Sequence, residues 1–203
     1  FEDDTALVRL YCTVNYAKLP APVQSFVHGI ADDNGVSDRL TDDTLVLTLM
    51  GSTGKKAAWC DRRKSHGHAG IPLVSAAFVD AIPMVSRLLQ QMGIGIDWID
   101  KADLRSAVAG AAQLSGFFYV GNASAEKDAK GRLVIPAQDF VKKYGIKSVC
   151  GVGATYGSGA MATLIVFATN TVTIAATRQL QPLIDAFVSA TTSRERNGQF
   201  FSE

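Results

Sequence analysis

The stretch SVCGVGATYGSGAMATLIVFAT, residues 148–169, constrains the fold more than any other part of the chain. Tyr156-Gly157-Ser158-Gly159 is turn chemistry between two runs rich in small, β-branched and apolar residues, which reads as a long hairpin. Both faces of residues 161–168 are apolar or small. A strand whose two faces both avoid water lies in the middle of a sheet with a layer packed on each side. The glycines do not make a nucleotide loop. Their spacing departs from GxGxxG, no lysine supplies a phosphate-binding loop, and a strand follows where a helix should start.

The rest of the chain supplies partners for that strand. ALVRLYCTV (6–14) reads as a strand, PAPVQSFVHGIA as a short helix, and DDTLVLTLMGSTG as a second strand. In SAAFVDAIPMVSRLLQQMG, the residues Phe78, Ile82, Val85, Leu89 and Met92 recur at helical spacing and make one apolar face. Ser75 fits an N-cap and Gly93 the position after the last turn, while Pro83 either kinks this helix or opens a second one. IGIDWI reads as a strand, DKADLRSAVAGAAQ as a small-residue helix, and GFFYVG as another strand. The hydrophilic NASAEKDAKGR is expected to be the most mobile loop. IPAQDFVKKYG fits a helix opened by Pro136 and closed by Gly145. A last helix is expected from about Thr173 to Thr192, with Ile174, Leu180, Ile184 and Phe187 along one stripe and a bend at Pro182.

Hairpin connections, with helices inserted between some strands and placed at the end, indicate α+β with a mostly antiparallel sheet. The 203 residues, 47% of them hydrophobic and with no internal repeat or linker-like stretch, fit a single domain over residues 1–193. Residues 194–203 lose periodicity and are expected to form a frayed tail or a linker to an output domain absent from this sequence. Twenty Lys and Arg against nineteen Asp and Glu leave a charge of +1, so no global field draws the chain to nucleic acid or to an anionic membrane. No apolar run reaches the roughly 18 residues of a membrane helix. Cys12, Cys60 and Cys150 show no CxxC spacing, which fits a reducing, cytoplasmic setting better than a disulfide framework. The acidic start FEDDTALV is unlike a signal peptide, and the missing Met fits a segment of a longer chain.

Chemistry-bearing residues concentrate in CDRRKSHGHAG, 60–70. His66 and His68, two apart, offer two imidazoles to an ion, but Arg62, Arg63 and Lys64 oppose a divalent cation, so a metal is not expected. Haem would need one of these imidazoles to face an apolar cavity, and no CxxCH motif is present. The same residues fit a cradle for an anion or polar ligand, with Arg62 and Arg63 as planar forks and Trp59 as a pocket wall. A solvated basic loop is the alternative for each of them. Cys60 beside these cations is a candidate thiol nucleophile. No hydrolase, metalloprotease or kinase motif appears, and the carboxylates show no acid–base pairing.

The blocks RLYCTVNYAKLP, WCDRRKSHGHAGIPL, IPMVSRLLQQMG and IPAQDFVKKYGIKSVCGVGATYGSG, in this order over most of residues 6–190, resemble the GAF-like sensory domain of bacterial sensor histidine kinases and related signalling proteins. The resemblance implies a GAF/PAS-like sheet with a small-molecule pocket on one face and a terminal signalling helix. It further implies a homodimer and an output kinase or other signalling domain as partners, with no catalysis in the domain itself. Cys60 stands where a polar residue such as Asn is expected. The candidate ligand-binding residues are Trp59, Arg62, Arg63, His66, His68, Tyr119 and Gln138, with the ligand expected between the sheet and residues 59–73. Neither the ligand nor a cofactor is named by the sequence. A dimerisation module without ligand, and a thiol reductase using Cys60 with Cys12 or Cys150 as resolving thiol, are the alternatives.

Overall fold

The computed structural model describes residues 4–64, 67–101, 104–110 and 114–201. Its frame is a six-stranded sheet in the order β3-β2-β1-β6-β5-β4, antiparallel at every pairing. The strands are β1 (Thr5–Asn15), β2 (Leu45–Gly54), β3 (Gly70–Pro72), β4 (Ser115–Val120), β5 (Ser148–Thr155) and β6 (Met161–Ala168). The helices are α1 (Ala21–Asp33), α2 (Ala76–Asp80), α3 (Pro83–Gln91), α4 (Leu104–Gly110), α5 (Gln138–Tyr144), α6 (Ile174–Arg178) and α7 (Gln181–Arg196). The doubly apolar β6 sits between β1 and β5, as its composition requires.

Alternation along the strands divides the core in two. One face carries Leu47, Leu49, Phe118, Val149 and Ile165, covered by Val85, Leu88 and Leu89 of α3 and Val141 of α5. The opposite face carries Cys12, Val152, Ala154 and Ala162, covered by Ile184 and Val188 of α7. β1 serves both layers: Leu7, Arg9 and Tyr11 point to the α3 side, while Leu10 and Cys12 join the α7 side. The register of β1 on β2 slips between Leu10, opposite Gly51, and Tyr11, opposite Leu49, so Met50 is the extra residue of a bulge.

Ser75 caps α2 by accepting the Phe78 N–H at 3.1 Å, and Pro83 opens α3 rather than kinking one long helix. α3 approaches the sheet closely because two strand positions lack a side chain. A Cβ on Gly116 would lie 2.8 Å from the Met92 Cα, and one on Gly153 would lie 2.5 Å from the Met92 sulfur.

Four expectations need correction. IGIDWI is not a strand: Ile96–Asp100 form a 3₁₀ turn, with the Trp98 N–H bonded to the Gly95 carbonyl. Asp100 then reaches the Ala76 N–H at 3.0 Å, so a local turn that caps a neighbouring helix displaces the pleat. The polar loop 122–132 is tied down, since Glu126 accepts from the Gly121 N–H at 2.7 Å and pairs with Arg87 at 2.5 Å, Arg132 pairs with Asp128 at 2.7 Å, and Lys130 pairs with Asp80. The last helix is two helices with a break at Gln179–Leu180, where Pro182 starts a helix and bends none. The boundary expected at residue 193 falls inside α7, which runs to Arg196, and beyond it Phe200 and Phe201 pack back on the body. The Phe200 ring lies 6.2 Å from that of Tyr156, so through residue 201 the tail is held by aromatic contacts and does not fray.

Candidate functional site

Between the sheet and the α3–α5 layer lies a cavity of about 310 Å3. β1 contributes Leu7, Arg9 and Tyr11, β2 Leu47, β3 Ile71, and β6 Ile165 and Phe167. Ile82, Met84, Val85 and Leu88 close it from the start of α3, and Ile135 through Ala137 with Phe140 from the start of α5. Sixteen of the described residues line it, and thirteen of these are aliphatic, aromatic or thioether in character; the exceptions are Arg9, Tyr11 and His68. A cavity this apolar, with a few polar groups, is the form small-molecule sites take.

The polar residues converge. The Arg9 guanidinium donates from Nη1 to the Tyr11 hydroxyl at 3.2 Å and to the Gly67 carbonyl at 3.3 Å. Tyr11 is buried, and that desolvation raises its phenol pKa against the smaller opposing effect of Arg9, so it remains a neutral hydrogen-bonding group at physiological pH. His68 borders the cavity as an exposed residue at its rim, and it has a left-handed backbone, φ 61°. It is the one non-glycine residue among those described with positive φ, a conformation that His tolerates better than most side chains. Loss of water around its ring, then the charge of Arg9, hold the imidazole pKa below its ordinary value. Among the described residues, Arg9 is the one permanently charged side chain that lines the pocket, and Tyr11 and His68 are its other polar side chains.

Of the seven residues expected at the site, His68 alone lines this cavity among those described; His66 lies outside the described residues. Trp59 stands one layer behind, with its ring 4.7 Å from that of Tyr144 and 5.8 Å from that of Phe140, so it buttresses the Phe140 wall. Arg62 stacks on the Phe201 ring at 5.1 Å, and Arg63 pairs with Asp61 at 3.0 Å while its side chain is 80% exposed. Both border a surface cleft with Met50, Gly51, Ser52 and Cys60, apart from the cavity. The Arg62 guanidinium lies over a tail aromatic and the Arg63 fork pairs with a neighbouring carboxylate, and neither side chain lines the cavity. The Tyr119 hydroxyl donates to the Val172 carbonyl at 2.8 Å, and the Gln138 amide donates to the Ala123 and Ile135 carbonyls at 3.0 and 2.7 Å. These two are structural ties.

Sequence reasoning passed over Arg9 and Tyr11. The available signal was a lone arginine inside the apolar run ALVRLYCTV, at the same strand parity as Leu7 and Tyr11. A charged residue facing a core layer is unusual enough to mark a site.

Cys60 is exposed, and its thiol donates to the Gly54 carbonyl at 3.4 Å; Cys12 and Cys150 are buried in β1 and β5. Among the described residues no group of three His, Cys, Asp or Glu side chains is placed to hold a metal ion, and no helix is long and apolar enough to cross a membrane. No protein-family model, no curated protein and no solved structure matches the chain.

Proposed function

We propose that this chain is a GAF-like sensory domain that binds a small molecule in the cavity beneath α3 and α5, without turnover, and passes its occupancy to α7. The observation that carries the reading is the cavity itself, about 310 Å3, lined by the sheet and the starts of two helices and bordered by the polar side chains of Arg9, Tyr11 and His68. A module that served only to dimerise would fill this space with side chains, as the rest of the core is filled.

The antiparallel sheet, the ligand cavity on one face and the terminal helix on the other match what the resemblance to GAF-like domains implies. β1 supports the relay, because it contacts the cavity through Leu7, Arg9 and Tyr11 and the α7 layer through Leu10 and Cys12. At one end of the sheet, Arg105 of α4 bonds Asn15 of β1 at 2.9 Å and Glu195 of α7 at 3.2 Å, a second link between the layers. A ligand that favours one arrangement of β1 biases α7 by its difference in affinity for the two arrangements. A bacterial signalling protein, a homodimer, a kinase or other output domain and a cytoplasmic setting belong to this proposal, the last supported by three unpaired thiols.

The test is methyl NMR of the protein against a fragment library containing acids, bases and neutral compounds. The reading expects some fragments to shift the methyl signals of Ile71, Leu88 and Ile165 and, through β1, the amide signals of α7. Fragments that shift only residues outside the cavity would overturn the site, and cavity binding with a silent α7 would overturn the relay.

A further inference from the structure

Resting on the reading of this cavity as a ligand site, we infer that its ligand is a neutral, largely hydrocarbon molecule with one acceptor oxygen, of the ketone, ester or lactone class, to which the buried Tyr11 hydroxyl donates. The size follows from the volume. A dry apolar cavity of roughly 150 Å3 holds benzene, so about 310 Å3 takes a body about twice as large, a fused ring pair or a chain of similar bulk. The body follows from the walls: the side chains of Leu47, Ile71, Leu88, Ile165 and Phe167 form no hydrogen bonds, and such a surface favours an apolar guest.

The single oxygen follows from the three polar side chains of the described lining. Arg9 is engaged by the protein itself: it donates to the Tyr11 hydroxyl at 3.2 Å and to the Gly67 carbonyl at 3.3 Å, and it makes a further contact, so the guanidinium is a fixture of the wall. His68 is an exposed residue at the rim, with solvent to satisfy its ring nitrogens. Tyr11 differs from both. Its relative exposure is 6%, and its oxygen accepts from Arg9, while its own O–H finds no acceptor among the described residues. Burial holds the proton on the phenol, so this donor persists at physiological pH.

A buried donor without an acceptor is costly, and that cost sorts the guests. A pure hydrocarbon would seal the Tyr11 O–H unpaired in apolar surroundings, whereas a carbonyl oxygen takes its proton and leaves neither partner unsatisfied. A guest with several polar groups would have this one buried donor and apolar walls for the rest, and an ionised head costs far more to desolvate than a carbonyl. Arg9 Nη1 touches both the Tyr11 hydroxyl and the Gly67 carbonyl, so the oxygen-bearing end of the ligand sits beside the turn that carries His68, and the body occupies the apolar remainder.

The experiment is methyl NMR titration of the whole chain, wild type and Tyr11→Phe, with 1-tetralone, 2-nonanone, tetralin and tetralin-1-carboxylate, affinities being read from the Ile71, Leu88 and Ile165 signals. The inference expects at least one ketone to bind the wild type and to lose at least about fivefold in affinity in Tyr11→Phe, while tetralin binds the variant as tightly as the wild type or more tightly. The carboxylate is expected to bind more weakly than the better ketone. A ketone held equally by both proteins, tetralin weakened as much as the ketone, or the carboxylate binding most tightly would overturn the assignment and leave the cavity standing as a site. If none of the four compounds moves these methyl signals in the wild type, the assignment is overturned, and the fragment screen then decides the fate of the cavity reading by itself. Should Tyr11→Phe fail to fold, the infrared carbonyl band of the better ketone, 13C-labelled at the carbonyl and bound to the wild type, replaces it. A band below its position in hexane is the expected result, and a band at the hexane position would overturn the hydrogen bond.

Discussion

Adding one methylene to a valine should have opposite effects at two positions of the same core. Val85, on α3, is buried and lines the cavity; Val149, on β5, is fully buried in the same hydrophobic cluster and is not among the cavity's lining residues. Val85→Ile extends the side chain into existing space. It gains about 0.8 kcal/mol from the buried methylene and loses a few tenths to the extra rotor, a net stabilisation of about 0.5 kcal/mol. Valine and isoleucine are both β-branched and have nearly equal helix propensity, so the backbone term cancels. Val149→Ile has no space to enter, and overpacking a filled core costs about 1–3 kcal/mol. Urea unfolding reads both. With a slope of about 2.5 kcal/mol per M, the midpoint rises by about 0.2 M for Val85→Ile and falls by about 0.4–1.2 M for Val149→Ile. If Val85→Ile destabilised the protein as much as Val149→Ile, the space beneath α3 would be closed in solution and the argument from the cavity would fail.

Three further outcomes follow from other parts of the fold. Glu195→Ala strips a buried carboxylate from the partly exposed Arg105; with that exposure discounting the loss, it should lower stability by about 1–2 kcal/mol, and Arg105→Met added to it should restore part of this in calorimetric melting. No recovery in the double variant would mean that the pair does not tie α4 to α7. Burial pushes the Cys12 thiol from 9.0 up to about 12, so the folded state retains a proton that the unfolded chain releases; stability is full below about pH 9 and is lost as pH rises toward 12. Cys12→Ala should therefore show a shallower loss of unfolding free energy between pH 9 and 11 than the wild type, and identical slopes would refute the burial argument. Under native conditions an aromatic disulfide reagent should titrate one thiol rapidly, that of Cys60, and release the other two only with unfolding; two fast thiols would contradict the burial of Cys12 or Cys150.

Much of the frame could be read from the chain because several elements announce themselves locally. The two-sided apolar run 161–168 had to be a central strand, and Ser75, Pro83 and Gly145 marked helix ends through capping, fixed φ and a left-handed turn at φ 62°. IGIDWI misled because six residues of alternating character satisfy a strand as well as a turn, and only Asp100 reaching back to α2 decides between them. The site was harder to read. Charge density drew attention to residues 60–68, yet Arg62 stacks on Phe201 of the distant tail and Arg63 pairs with the local carboxylate of Asp61, and neither lines the cavity. The single arginine of β1 carried the better signal, but in a strand apolar on both sides, periodicity alone cannot tell which face meets space and which meets a helix. A cavity is a property of how layers fail to fill one another, and no local pattern encodes it.

The most direct test of the cavity as a binding space is methyl NMR under xenon pressure, since xenon enters preformed apolar cavities without needing a polar anchor. The account predicts selective, saturable shifts of the Ile71, Leu88 and Ile165 methyl signals, with those of Ile184 and Val188 in the α7 layer unmoved by direct contact. Uniform small shifts across both layers, or a saturable site beside Ile184, would contradict it.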